Sequence, residues 1–91
     1  MKVSECRPEV QRFACAMEAR LQINEFGDGW QKCDVEVLFF RVVEAIGIVA
    51  MGMNIPAEPS RAAQENMIRR LVDVANFAMM TAKRIAEFDE K

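Results

Sequence analysis

The stretch Val35 to Met53, VEVLFFRVVEAIGIVAMGM, decides the fold of this chain. It has no strict alternation of apolar and polar residues and is longer than a typical strand, so its pattern predicts a helix. Only Glu36, Arg41 and Glu44 carry charge in it. Wound into a helix, the stretch is apolar on nearly every side, and such a helix has to be covered on nearly every side. The chain is short, so part of that cover is expected from its own remaining helices and part from another copy or another molecule. Gly47 and Gly52 each lower helix propensity by about 1 kcal/mol relative to alanine, a cost that makes sense where another backbone approaches closely.

Outward from this segment, Asp34 is a suitable N-cap, and Glu36 in the first turn suits the helix dipole. After Met53, the segment Asn54 to Pro59 reads as a loop bounded by two prolines, and Ser60 caps a last long helix. Ala63, Met67, Leu71, Ala75, Ala78, Ala82 and Ile85 recur along that helix every three or four residues as an apolar stripe whose alanines permit close approach. The tail from Glu87 to Lys91 is expected to fray. On the N-terminal side, Pro8 fits the first position of a helix that runs to about Asn24, with Val10, Phe13, Ala14, Met17 and Leu21 at helical spacing. Asn24 to Gly29 is a breaker cluster, and Trp30 directly after it is expected to lid the core or, less commonly, to wall a ligand pocket. Three helices with short connections predict an all-α, antiparallel helical bundle, a single domain over residues 1–91, completed by oligomerisation.

A chain of 91 residues, 52% hydrophobic and 29% charged, has room for one core and no second domain. A net charge of −2 argues against a partner held by its phosphate backbone, which requires a clustered basic surface. No nucleic acid is therefore expected as a partner. The central segment is too short and too interrupted by charge to cross a bilayer, and the N-terminus has no apolar run of signal-peptide type, so the chain is expected to be soluble, cytoplasmic and not membrane-bound. Cys6, Cys15 and Cys33 form no Cys-x-x-Cys pair and histidine is absent, which leaves a hard ion held by carboxylates as the metal chemistry available. Free thiols fit a reducing compartment.

Without histidine, a phosphate-binding loop or a dinucleotide fingerprint, the remaining candidates for chemistry are carboxylates on facing helices. Glu44 and Asp73 each stand about a dozen residues from the turn between their helices, which brings them roughly level in an antiparallel hairpin. They could hold Mg²⁺ between them. The plainer reading pairs Glu44 with Arg41, and Asp73 with Arg69 or Arg70, as ordinary surface ion pairs. A third idea is an apolar small-molecule pocket lined by Ile48, Met51 and Trp30, set against the commoner fate of such residues as core.

The segments Phe13-Ala14-x-Ala16-Met17-Glu18, Gly29-Trp30-x-x-Cys33, Glu44-x-x-Gly47 and Asp73-Val74-Ala75-Asn76-Phe77-Ala78-Met79-Met80 together resemble the MazG-like all-α nucleotide pyrophosphohydrolases. The resemblance extends from the first helix to about Ile85 and is strongest from Asp73 to Met80. It implies a helical dimer or tetramer, assembled through the central helix. It also implies a Mg²⁺-dependent enzyme that splits nucleoside triphosphates into the monophosphate and pyrophosphate. The family's metal motif, Glu-Glu-x-x-Glu on one helix and Glu-x-x-Asp on the next, falls here on Glu44, Ala45 and Ile48, then on Arg70 and Asp73. Only the first and last acids match, and Met51 stands at a further position that is often acidic.

Losing three anionic ligands and gaining one cation changes the formal charge of such a site by about +4, and Mg²⁺ needs carboxylates to hold it against a triphosphate. Without the ion little remains to polarise a phosphoryl oxygen or activate water. Glu36 and Glu65 could approach the site, though nothing in their spacing requires it. The replacements also share a direction, from charge to apolar surface, as in a natural relative that lost activity or in a scaffold rebuilt for binding or assembly. The expected function is a MazG-like fold with a depleted Mg²⁺ site and impaired catalysis, acting as a self-assembling or binding module for a nucleotide or an apolar partner. The alternative is a working Mg²⁺-dependent NTP or dNTP pyrophosphohydrolase that uses Glu44 and Asp73.

Overall fold

Three α-helices carry the chain in the computed structural model, which describes residues 1–23, 29–52 and 60–90. They are α1 (Pro8–Ile23), α2 (Val35–Gly52) and α3 (Arg61–Ala86), with 3-10 turns at Val3–Glu5, Gly29–Lys32 and Glu87–Glu90. The all-α expectation is met: no strand occurs among the described residues. Residues 24–28, which hold most of the expected breaker cluster and the expected end of the first helix, lie outside the described residues. So do 53–59, which include the expected loop.

Each helix begins where its sequence supplies a start. Pro8 opens α1, and the carbonyl of Arg7 accepts from the Gln11 amide at 3.0 Å. The Asp34 carbonyl takes the first amides of α2, from Val37 and Leu38. Ser60 has extended backbone, and its hydroxyl oxygen accepts from the Ala63 amide at 3.1 Å, satisfying one of the orphan donors at the start of α3. From Glu87 to Glu90 the tail, expected to fray, forms a 3-10 turn in which Glu87 is held by Arg84 at 2.7 Å and by Lys83 at 3.2 Å; Lys91 lies outside the described residues.

α3 packs against both other helices and so sets the architecture. Leu38 and Val49 of α2 and Val72 and Met80 of α3 are the buried apolar residues. Two buried polar residues on α3 are tied to backbone. The Thr81 hydroxyl donates to the Phe77 carbonyl at 2.7 Å, and the Asn76 amide nitrogen donates to Met17 of α1 at 3.2 Å. Asn76 is only 4% exposed, so this bond fixes how α1 sits on α3. At the other end Arg84 donates to the Cys33 carbonyl and holds the Gly29–Lys32 turn against α3.

Two expectations about packing are revised. Of the apolar row Ala63, Met67, Leu71, Ala75, Ala78, Ala82 and Ile85, only Met67 and Ala75 are half-buried and the rest are exposed; the buried residues of α3 are Val72, Asn76, Met80 and Thr81. The reason is that α3 serves two neighbours, and the anchors Asp73 and Asn76, both bonded to α1, fix its rotation. Nor does the chain cover α2 on nearly every side: Phe39, Phe40, Val43, Ile46, Ile48 and Met51 all remain exposed. A Cβ added at Gly47 or Gly52 would meet no other element within 4 Å among the described residues, so no described neighbour uses the missing side chains.

Candidate functional site

A cleft of about 290 Å³ opens where α1, α2 and α3 meet. Glu44, Ala45, Ile48, Arg70 and Asp73, the five positions of the metal motif, all line it. Arg41 and Phe77 complete the α2 and α3 walls, and α1 contributes Arg20. Antiparallel packing of α2 on α3 accounts for the convergence: residues equally far from the connection between two such helices stand level with one another.

The electrostatics of the cleft are set by guanidinium groups. Arg20 grips Asp73 with two bonds, Nε to Oδ1 at 2.8 Å and Nη2 to Oδ2 at 3.3 Å. Both side chains are largely shielded, at 29% and 17% exposure, so the pair is worth more than a surface bridge. The hydrogen bond to Asp73 raises the Arg20 pKa above the usual guanidinium value, against the smaller opposing effect of burial. Glu44 accepts from Arg41 at 3.2 Å, as the plainer reading of the sequence has it. Asp73 does not pair with Arg69 or Arg70, because α1 delivers Arg20 to it first. Arg70 makes no hydrogen bond or ion pair with a described residue. Three guanidinium groups thus face two carboxylates, and both carboxylates are engaged.

As donors for a divalent cation these residues do not fit. An ion between Glu44 and Asp73 would have to displace Arg20, which holds both oxygens of Asp73, and would sit beside Arg41, which holds one oxygen of Glu44. At about 5 Å from a single guanidinium it would meet repulsion of several kcal/mol even at an effective dielectric constant of about 20. Among the described residues no group of three or more acid, cysteine or histidine side chains is placed to hold a metal. Glu36 and Glu65 do not line the cleft; Glu65 pairs with Arg61 at 3.2 Å and lines a separate, open groove between α1 and α3 with Arg20, Ile68 and Arg69.

Arg20 is the site residue that sequence reasoning missed, although a signal was present. Phe13, Met17 and Arg20 follow at spacings of four and three, so the arginine falls where the inward row of α1 continues. A charge there calls for a buried or half-buried partner.

The small-molecule pocket idea divides between two places. Ile48 lines the arginine cleft, whereas Trp30 lines a neighbouring cleft of about 330 Å³ with Cys33, Leu38 and Met80. Arg41 and Phe77 contribute to both, and Trp30 is half-buried, a lid at the edge of the core. Met51 is 89% exposed. Among the described residues no helix is long and apolar enough to cross a membrane.

Comparison of the chain with protein-family models, with curated proteins and with solved structures returns no match.

Proposed function

We propose that this chain is a MazG-like helical module whose catalytic cleft is closed by a guanidinium and whose role is assembly or binding rather than nucleotide hydrolysis. The observation that carries this reading is the double bond from Arg20 to Asp73. In the site that the sequence resembles, the aspartate offers its oxygens to an ion; here both oxygens are committed to a side chain of the same polypeptide. Ala45 and Ile48 add apolar wall where further acids would stand, and Arg70 adds a third positive charge. Such a cleft has no strong cation site, and hydrolysis of a triphosphate without an ion loses both charge neutralisation and water activation.

The assembly half of the proposal draws on α2. A helix apolar on nearly every side, with most of its large side chains exposed, is costly to leave in water, at about 25 cal/mol per Å² of apolar surface. Partner contact removes that cost.

The test is pyrophosphate release from a panel of NTPs and dNTPs with excess Mg²⁺ at micromolar protein. No release above the uncatalysed background is expected. Turnover on the order of 1 s⁻¹ or faster, an ordinary enzyme rate, would overturn the proposal and restore Glu44 and Asp73 as working ligands.

A further inference from the structure

Each helix sends one guanidinium to the cleft: Arg20 from α1, Arg41 from α2 and Arg70 from α3. Their hydrogen-bonding capacity is spent unequally. Arg20 commits two N–H groups to Asp73 and Arg41 one to Glu44, whereas Arg70 gives none to a described residue. Asp73 is matched by Arg20, which holds both of its oxygens. What is left is Arg41 and Arg70 against Glu44, a surplus of one positive charge carried by groups with donors to spare.

We infer that the cleft binds a small organic monocarboxylate, with the ligand's carboxylate on Arg70 and Arg41 and its apolar body along Ala45, Ile48 and Phe77. The inference rests on the noncatalytic reading of the cleft, because in a working pyrophosphohydrolase a metal ion and phosphate oxygens would fill the same space.

Charge, shape and wall chemistry each narrow the class of ligand. A surplus of one positive charge is neutralised by a monoanion. Inorganic phosphate carries more than one negative charge near neutral pH and a triphosphate more still, and the excess would face Glu44, which is 59% exposed and has one oxygen bonded to Arg41. A carboxylate also suits the donor. The planar guanidinium fork takes its two oxygens through parallel bonds, and Arg70 has the whole fork to offer.

The walls decide what the carboxylate is attached to. Ala45 and Phe77 are half-buried and Ile48 is 46% exposed, so hydrocarbon lies on both the α2 and the α3 side of the arginines. A bare inorganic anion would leave that surface against water, whereas a hydrocarbon body would cover it. The cleft, at about 290 Å³, stands at the lower end of the sizes that small-ligand sites take, with room for a body of several carbons. These are also the positions at which acids of the resembling motif are replaced. Ala45 and Ile48 supply the wall and Arg70 the cation, so the same substitutions that remove a cation site create one for an amphipathic anion.

The test is titration of the full chain with sodium acetate, butyrate and hexanoate at constant ionic strength, followed by amide chemical shifts, with hexanamide as the neutral control. Saturable shifts are expected at Ala45, Ile48, Arg70 and Phe77, with a dissociation constant for hexanoate on the order of 1 mM. Affinity should rise about two- to fourfold for each methylene added from acetate to hexanoate. No saturation by about 50 mM hexanoate, equal shifts with hexanamide, or tighter binding of inorganic phosphate than of hexanoate would each overturn the inference. Arg70 is exposed and bonded to no described residue, so Arg70→Gln should fold as before and weaken hexanoate binding by about tenfold or more. Arg69→Gln removes the same charge from the separate α1/α3 groove and should change the affinity by less than about twofold. Equal losses in the two variants would show a general charge effect and overturn the site. Absence of both hexanoate binding and pyrophosphate release would remove this inference and leave the noncatalytic reading standing, whereas pyrophosphate turnover without hexanoate binding would remove both.

Discussion

Arg20 decides what the cleft is. Its partner Asp73 is 17% exposed, so removing the guanidinium leaves a partly buried carboxylate without its counterion. Arg20→Ala should lower stability by roughly 1–2 kcal/mol, less than a fully buried pair would cost because both groups keep some solvent. Urea denaturation measures this, and a change under about 0.3 kcal/mol would show that the pair does not hold α1 on α3. Glu87 offers a test in pH. Hydrogen bonds from Arg84 and then Lys83 hold its carboxyl below the usual 4.5. A group whose pKa is lowered on folding stabilises above its unfolded value and loses that contribution as pH falls through the lowered one. The Glu87–Glu90 turn should therefore stay ordered at pH 5 and loosen at more acid pH, followed by amide chemical shifts at the end of α3. Glu87→Gln should loosen the turn at neutral pH and abolish its acid transition. At this scale the sequence carried much: the five motif positions do line one cleft. It did not carry the identity of Asp73's partner, because Arg20 is 53 residues away and only the docking of α1 brings it near.

At the scale of elements, all three helices were legible because their starts are chemical: Pro8, Asp34 and Ser60 stand where the chain needs a start or a cap. Which face of α3 is buried was not legible. Its most regular apolar row, Ala63 to Ile85, is exposed apart from half-buried Met67 and Ala75, since periodicity reports that a helix has an apolar face but not which of two neighbours it meets. The glycines of α2 carry a related lesson. They suggested a close backbone, yet among the described residues no other element comes within 4 Å of a Cβ added at Gly47. Gly47→Ala should then stabilise the chain by up to about 1 kcal/mol, read as a raised thermal midpoint. A lowered midpoint would show that a second backbone does pack on the glycine.

At the scale of the whole molecule, two features combine. Among the described residues few apolar side chains are buried, and the cleft between the helices sets three guanidinium groups against two carboxylates. The first leaves much of the apolar surface of α2 uncovered, and the second leaves no cluster of acids for the kind of ion on which nucleotide hydrolysis in the resembling family depends. The assembly module proposed above is consistent with both. The apolar run from Val35 already indicated in the sequence that one chain would not cover it, and Phe39, Phe40, Val43, Ile46, Ile48 and Met51 are indeed exposed. The most direct test of the central claim is a crystal of the protein soaked in Mg²⁺ with a non-hydrolysable nucleoside triphosphate. The account predicts Asp73 still gripped by Arg20 through both oxygens, with no metal in the cleft. An ordered Mg²⁺ bridging Glu44 and Asp73, with phosphate oxygens in its shell and Arg20 swung away, would contradict it.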